Sequence, residues 1–458
     1  MLRIFSFCSF LIFLSFAAFA AGPLLVTDGV VLAWDNSSAV SLDPESGSCG
    51  GFSNADMVSK LDEVTAIWAD LDEVDISFSI DEGNFDEIDD SNYTTVISDA
   101  DTLNGNNLVT FDEDGDISAQ LFGEENRFLV LGFAEVLASD ATNITQANFL
   151  INCSCLENEP ADICFTSCDG GACFDAITEE AVDAVILHEI GHLINLDHSQ
   201  ANETVLEATT EADQDDLPTM YPISYFPTGQ RTPTQDDIIA LGSIYPSSTL
   251  SSNYCLVTGD LVDADDLPLR CADVVAETSS TDDTVSFVSG NNATATDDNT
   301  DGDTVDSGEC TDDCGHFQLY LTPGTDYTIT VRPINSAFTG GSGIGPCSGE
   351  QLTTIEEESL STVSGSQCVA GSVLDLGSLT TTSTGGVSAG SDSETDSGTE
   401  EGAGTGAGPQ GGGVQRVLGG CALSVGAASM LDLISLRPVL SVFGVGFLLL
   451  FFKRRALS

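Results

Sequence analysis

Apolar positions change their period several times along the chain. From Ser53, Met57, Val58, Leu61, Val64, Ile67 and Trp68 recur at helical spacing, behind a capping residue at Ser53 or Asn54. Val74, Ile76, Phe78 and Ile80 then alternate with polar residues, as in a half-buried strand. Apolar runs at 108–111, 128–134 and 147–151 predict further strands, and residues 176–196 read as helix. Thr234 opens a last helix, with Asp237 as capping-box partner and Ile238, Leu241, Ile244 and Tyr245 as the apolar face. Interleaved helices and strands over 22–248 predict an α+β domain. Past a Pro/Ser-rich junction at 246–253 the runs become short and alternating, at 255–257, 272–276, 317–321 and 327–331. That pattern predicts a small all-β sandwich over 252–370. Residues 371–415, rich in Gly, Ser, Thr and acid, carry no apolar period and read as a linker.

Both ends are apolar in ways that change the picture. Residues 1–21 combine Arg3, an apolar run from Ile4 to Phe16 and the small-x-small site Ala18-Phe19-Ala20, which predicts a secretory signal peptide. Within 416–458, the apolar run Val439 to Phe452 precedes Lys453-Arg454-Arg455. It is short for a ~30 Å hydrocarbon core, and its basic far side favours a cytoplasmic C-terminus. With Gly419-Gly420-Cys421 upstream, the tail resembles the C-terminal sorting segments of bacterial surface proteins. The resemblance implies membrane insertion before processing and display outside the cell; a plain tail anchor is the other reading.

Charge and cysteine count narrow the function. The 458-residue chain has 73 acidic and 11 basic side chains, a formal charge of −62. Between residues 22 and 415 the balance is 5 − 72 = −67. Nucleic-acid binding requires basic patches and is excluded as a function. Two sets of six cysteines, 49 to 173 and 255 to 368, predict disulfides within each of two exported regions, with the connectivity open.

The chemistry is concentrated in His188-Glu189-Ile190-Gly191-His192-Leu193-Ile194-Asn195-Leu196-Asp197-His198. His188 and His192, at i and i+4, share a helix face and can bind one metal. Imidazole suits zinc, and three protein ligands leave a fourth position open. Glu189 is positioned as general base. His198 completes the set only if the chain turns sharply after His192. Asn195 stands where a left-handed residue allows that turn. His316, in Cys314-Gly-His316-Phe, reads as a turn residue.

This arrangement, with Pro218-Thr219-Met220-Tyr221-Pro222 and then TPTQDDIIALGSIYP, resembles the matrixins, metzincin zinc endopeptidases. Upstream, Trp34, Ala66-Ile67-Trp68 and Asp75-Ile76-Ser77-Phe78 are similar to family landmarks. The resemblance implies a mixed sheet packed with helices, catalytic Zn2+ on His188, His192 and His198, Glu189 as base, and Met220 as a floor beneath the metal. It further implies Pro222 and Tyr225 as a substrate-pocket wall, one residue longer than usual. Residues 128–134 become a rim strand that pairs with an extended protein or peptide substrate. Ca2+ is the second cation such proteins hold, and the acidic turn Asp112-Glu-Asp-Gly-Asp116 reads either as its site or as a solvated turn. The second region resembles the carboxypeptidase-regulatory, prealbumin-like domain. The expectation is an exported zinc metalloendopeptidase. The competing class is a surface adhesin that retains the fold for binding, against which the intact Glu189 argues.

Overall fold

A computed structural model describes residues 22–27, 30–128, 130–154, 178–199, 201–207, 214–224, 227–290, 315–334, 355–383 and 418–423. The stretch 1–21 expected to be a signal peptide, the apolar run 439–452, Tyr225 and the cysteine-rich segment 155–177 lie outside them. The chain is of α+β class, with helices, an eight-stranded mixed sheet and, among the described residues, three smaller sheets.

The first region opens with a short hairpin, β1 (Val26–Thr27) and β2 (Val30–Val31). Its main sheet contains β3 (Ala33–Trp34), β4 (Val40–Pro44), β5 (Phe78–Ile80), β6 (Leu108–Asp112), β7 (Val130–Ser139), β8 (Asn143–Asn152), β9 (Ile223–Ser224) and the late strand β17 (Leu418–Leu423). The order is β5-β4-β6-β8-β7-β17-β9, with β3 paired to β8 off this path. Strands β5, β4, β6 and β8 run parallel to one another, and β7 turns back antiparallel on β8. The predicted strand over 74–80 forms only at Phe78–Ile80; Val74 instead bridges to Pro246.

Helix α1 (Asn54–Ala69) begins at Ser53 with a reciprocal capping box to Asp56, and buries Met57, Leu61, Val64 and Trp68. Short helices α2 (Tyr93–Ser98), α3 (Ala100–Leu103) and α4 (Asp116–Phe122) place Tyr93, Ile97, Leu103 and Ile117 in one apolar cluster with Leu108 of β6, Phe133 of β7 and Leu150 of β8. Helix α5 (Glu179–Leu193) packs against α1 and β7. At their junction the buried Lys60 of α1 reaches Glu179 at 2.7 Å and Asp183 at 2.9 Å on α5. The Cys49–Cys153 disulfide links the segment before α1 to the end of β8.

Helix α6 (Gln235–Ile244) starts at Thr234 with the predicted Asp237 capping box. The Pro/Ser-rich junction is more ordered than its composition suggests: Ser248–Asn253 is a helix, α7, capped by Ser247. Beyond it stand two sheets. One contains β10 (Cys255–Val262), β13 (His316–Leu321) and β16 (Val373–Thr380), in the order β13-β10-β16. The other contains β11 (Ala272–Glu277), β12 (Val285–Val288), β14 (Tyr327–Pro333) and β15 (Glu358–Val363), in the order β12-β11-β14-β15. Strand β16 lies in the stretch expected to be linker, and pairs parallel with β10, so this region runs past residue 370. The Cys255–Cys368 disulfide closes it. Among the described residues no helix is long and apolar enough to cross a membrane.

Candidate metal centre

The centre rests on α5. Thr178 caps the helix by accepting from the Ala181 amide, and Glu179 and Glu180 complement the positive end of its dipole. From Ala184 through Leu193 every side chain is buried, so the helix is held on all faces. Two indoles fix its carbonyls: Trp68 Nε1 donates to Leu187 O at 3.0 Å, and Trp34 Nε1 donates to Leu193 O at 2.8 Å.

The turn after α5 has the expected left-handed residue. Asn195 has φ of 75°. Its amide donates to His192 O at 2.9 Å, and the Leu196 amide donates to Gly191 O at 2.8 Å. This is a Schellman closure, which satisfies carbonyls the helix end would leave open. The Asn195 side chain does more than tolerate the turn. Its Oδ1 accepts from the Leu25 amide at 2.7 Å, and its Nδ2 donates to Leu25 O at 3.1 Å and to Leu32 O at 2.6 Å. The N-terminal segment is thereby clamped to the turn, and the Asp197 amide donates to Gly22 O.

The turn brings His198 back to the helix face. One ligand atom from each of His188, His192 and His198 lies within 4.8 Å of the others, and all three residues are buried. His188 Nδ1 stands 2.8 Å from Thr219 O, and His192 Nδ1 stands 2.8 Å from Leu196 O. A carbonyl only accepts, so both Nδ1 atoms carry the proton and both Nε2 lone pairs are left for the centre. His188 Nε2 is a buried atom without a hydrogen-bond partner, and His192 Nε2 lies 3.1 Å from His198 Nε2. Burial pushes His188 down to about 4. His192 is held well below the ordinary imidazole range, by burial and then by its two neighbouring imidazoles. Neutral rings with inward Nε2 atoms are the form that binds a divalent metal. The donor set therefore fits zinc.

Glu189, buried beside His188, lies against β7. A Cβ on Gly132 would stand 2.9 Å from Glu189 Cγ and Oε1, so only glycine lets strand and carboxylate meet there. Met220 is fully buried, and a Cβ on Gly191 would stand 2.3 Å from its sulfur. The thioether thus packs on the bare Cα between the two helix histidines.

Asp237 holds this floor. Its Oδ1 accepts from the Met220 amide at 3.0 Å. Its Oδ2 accepts from the Thr219 amide at 2.9 Å, the Thr234 amide at 2.8 Å and the Thr234 hydroxyl at 2.9 Å. The Ser199 amide donates to Met220 O at 2.9 Å, joining the end of the triad to the same turn. The sequence marked Asp237 only as a helix cap. Its second role, and that of Gly132, had as signals an acid shortly after Met220 and a lone glycine inside a strand.

Pro222 is buried just before β9, while Tyr225 is outside the described residues. Residues 130–134 belong to β7. In the acidic turn, the buried Asp112 accepts from the amides of Ile117 and Ser118, and Asp116 pairs with Arg127. Among the described residues the histidine triad is the one group of three metal-type ligands. His316, at the start of β13, lies 3.2 Å from Asp260 on the neighbouring strand. No protein-family model and no curated protein matches the chain.

Proposed function

We propose that the chain is an exported, zinc-dependent endopeptidase of the matrixin-like metzincin type. One observation carries the reading: three buried imidazoles converge within 4.8 Å, with Glu189 adjoining the first of them. His188, His192 and His198 would hold zinc. When bound, zinc polarises a scissile carbonyl and lowers the pKa of water in the site. Glu189 takes the proton of the attacking water and returns it to the leaving amine. The bonds from Nδ1 to Thr219 O and Leu196 O keep both helix imidazoles in one tautomer and orientation. The Met220 thioether and the Asp237 clamp keep the floor dry and fixed. Strand β7 would offer an extended peptide the edge that β17 takes in this structure, with Pro222 on the far side.

Export and surface display rest on the two terminal segments of the sequence. The two sheets after residue 254 are read as a prealbumin-like sandwich that supports the catalytic region without chemistry of its own.

The test uses zinc content and cleavage of an unbiased quenched-peptide library, by the full chain and by residues 22–415, each beside Glu189→Ala. The expected outcome is one bound zinc per chain in all, and cleavage reduced by about 10²–10⁴-fold in the Glu189→Ala forms. Equal cleavage with and without Glu189 would remove the mechanism. One bound zinc with no cleavage from any form would favour the adhesin.

A further inference from the structure

The eight-stranded sheet includes a strand that comes from far along the chain. Strand β17 lies between β7 and β9, antiparallel to the first and parallel to the second. Its register pairs Leu418 with Glu135, Gly419 with Ala134, Gly420 with Phe133 and Cys421 with Gly132. Ala422 then pairs with both Val130 and Ile223. Gly132 is the residue whose Cα faces Glu189, and Ile223 follows Pro222. The backbone of Gly420–Ala422 therefore crosses the groove between the rim strand and the pocket wall, level with Glu189, and α5 lies beside it.

We propose that Leu418–Leu423 is the groove's own ligand, a tethered strand that occupies it in cis and keeps the full chain latent. Three features support this occupant. Without β17, β7 is an edge strand with open N–H and C=O groups, which demand a partner. The segment Gly419-Gly420 lets a backbone approach closely. The tether is short, since 417 − 383 = 34 residues separate it from Ser383. A tethered strand meets its groove at an effective concentration on the order of 1 mM. Even a weak strand with a dissociation constant near 0.1 mM then slows external substrates about tenfold. The latency rests on the peptidase reading of the groove; the occupancy does not.

The experiment compares the full chain with its Gly419→Pro/Gly420→Pro variant, since proline removes ladder donors. Hydrogen exchange is read at those β7 amides that are not bonded to β8, in a Glu189→Ala background so that the tail stays uncut. The β8-facing amides report whether the fold is intact. Peptide cleavage is read in the Glu189 background. Exchange at the outer β7 amides at least tenfold faster in the proline variant, with cleavage about tenfold faster, is expected. Unchanged exchange at those amides would overturn the occupancy, whatever the cleavage. Faster exchange with cleavage in neither protein would keep the strand as ligand and remove the peptidase. Faster exchange with equal cleavage in both would remove the latency.

Discussion

Asn195 carries a conflict between local strain and tertiary gain. A non-glycine residue at φ of 75° is strained by about 1–2 kcal/mol. The side chain offsets that with bonds to Leu25 and Leu32 that glycine cannot make. Asn195→Gly therefore relieves strain and loses the clamp, with an expected net loss of about 1 kcal/mol. Asn195→Ala keeps the strain and loses the clamp, with an expected loss of about 2–4 kcal/mol. Urea unfolding of the three proteins gives the order, and equal losses for Gly and Ala would contradict the strain argument. The turn itself was legible from the spacing of His192 and His198. The clamp was not, because its partners are more than 160 residues away, and nothing in a local pattern encodes them.

At the scale of elements, α6 does two jobs through one carboxylate. Asp237 caps its own helix and holds the amides of Thr219 and Met220. Burial raises its pKa while those bonds lower it. Asp237→Ala frees several buried donors at once. The expected cost is about 2–4 kcal/mol, with weaker zinc retention against a competing chelator. A cost below about 1 kcal/mol, as for an exposed cap, would mean that the floor stands without it. Helices α1, α5 and α6 were legible because their caps and their 3.6-residue period are local. Strands β6, β7 and β8 were legible as apolar runs. Strand β16 was missed because its apolar alternation, Leu374 and Leu376, is short and is broken at Gly377-Ser378 before Leu379, and none of its side chains is fully buried. Strand β17 was missed because backbone pairing, not an apolar period, puts it on β7. The six-residue α7 was missed because a run of Ser and Thr between Pro246 and Tyr254 reads as a turn.

At the scale of the whole molecule, an excess of 67 acids over residues 22–415 leaves few cations to neutralise buried carboxylates. Of the five cations there, Lys60, Arg127, Arg231 and Arg332 have acidic partners within salt-bridge reach. The junction between the two regions is instead acidic. Asp236 on α6 accepts from the Ser199 hydroxyl on one side and the Ser286 amide on the other. Asn202 also donates to Thr281 O, so the loop after His198 is held by the second region. Burial, and then the neighbouring Asp237, push Asp236 up to about 7. Burial, and then Asp236, push Asp273 of β11 up to about 8, against the pull of Arg332. In the unfolded chain both titrate near the ordinary carboxylate value of 3.8. Their folded values are raised, so the native state holds these protons more tightly. The stabilisation is complete below about pH 4 and is lost as pH rises through 7 and 8. Asp273→Asn keeps the shape and removes the titration. The expected gain over the parent is about 2 kcal/mol at pH 8.5 and little at pH 4, read from urea midpoints across that range. A gain of equal size at both pH values would mean that Asp273 acts through packing and that the junction does not titrate.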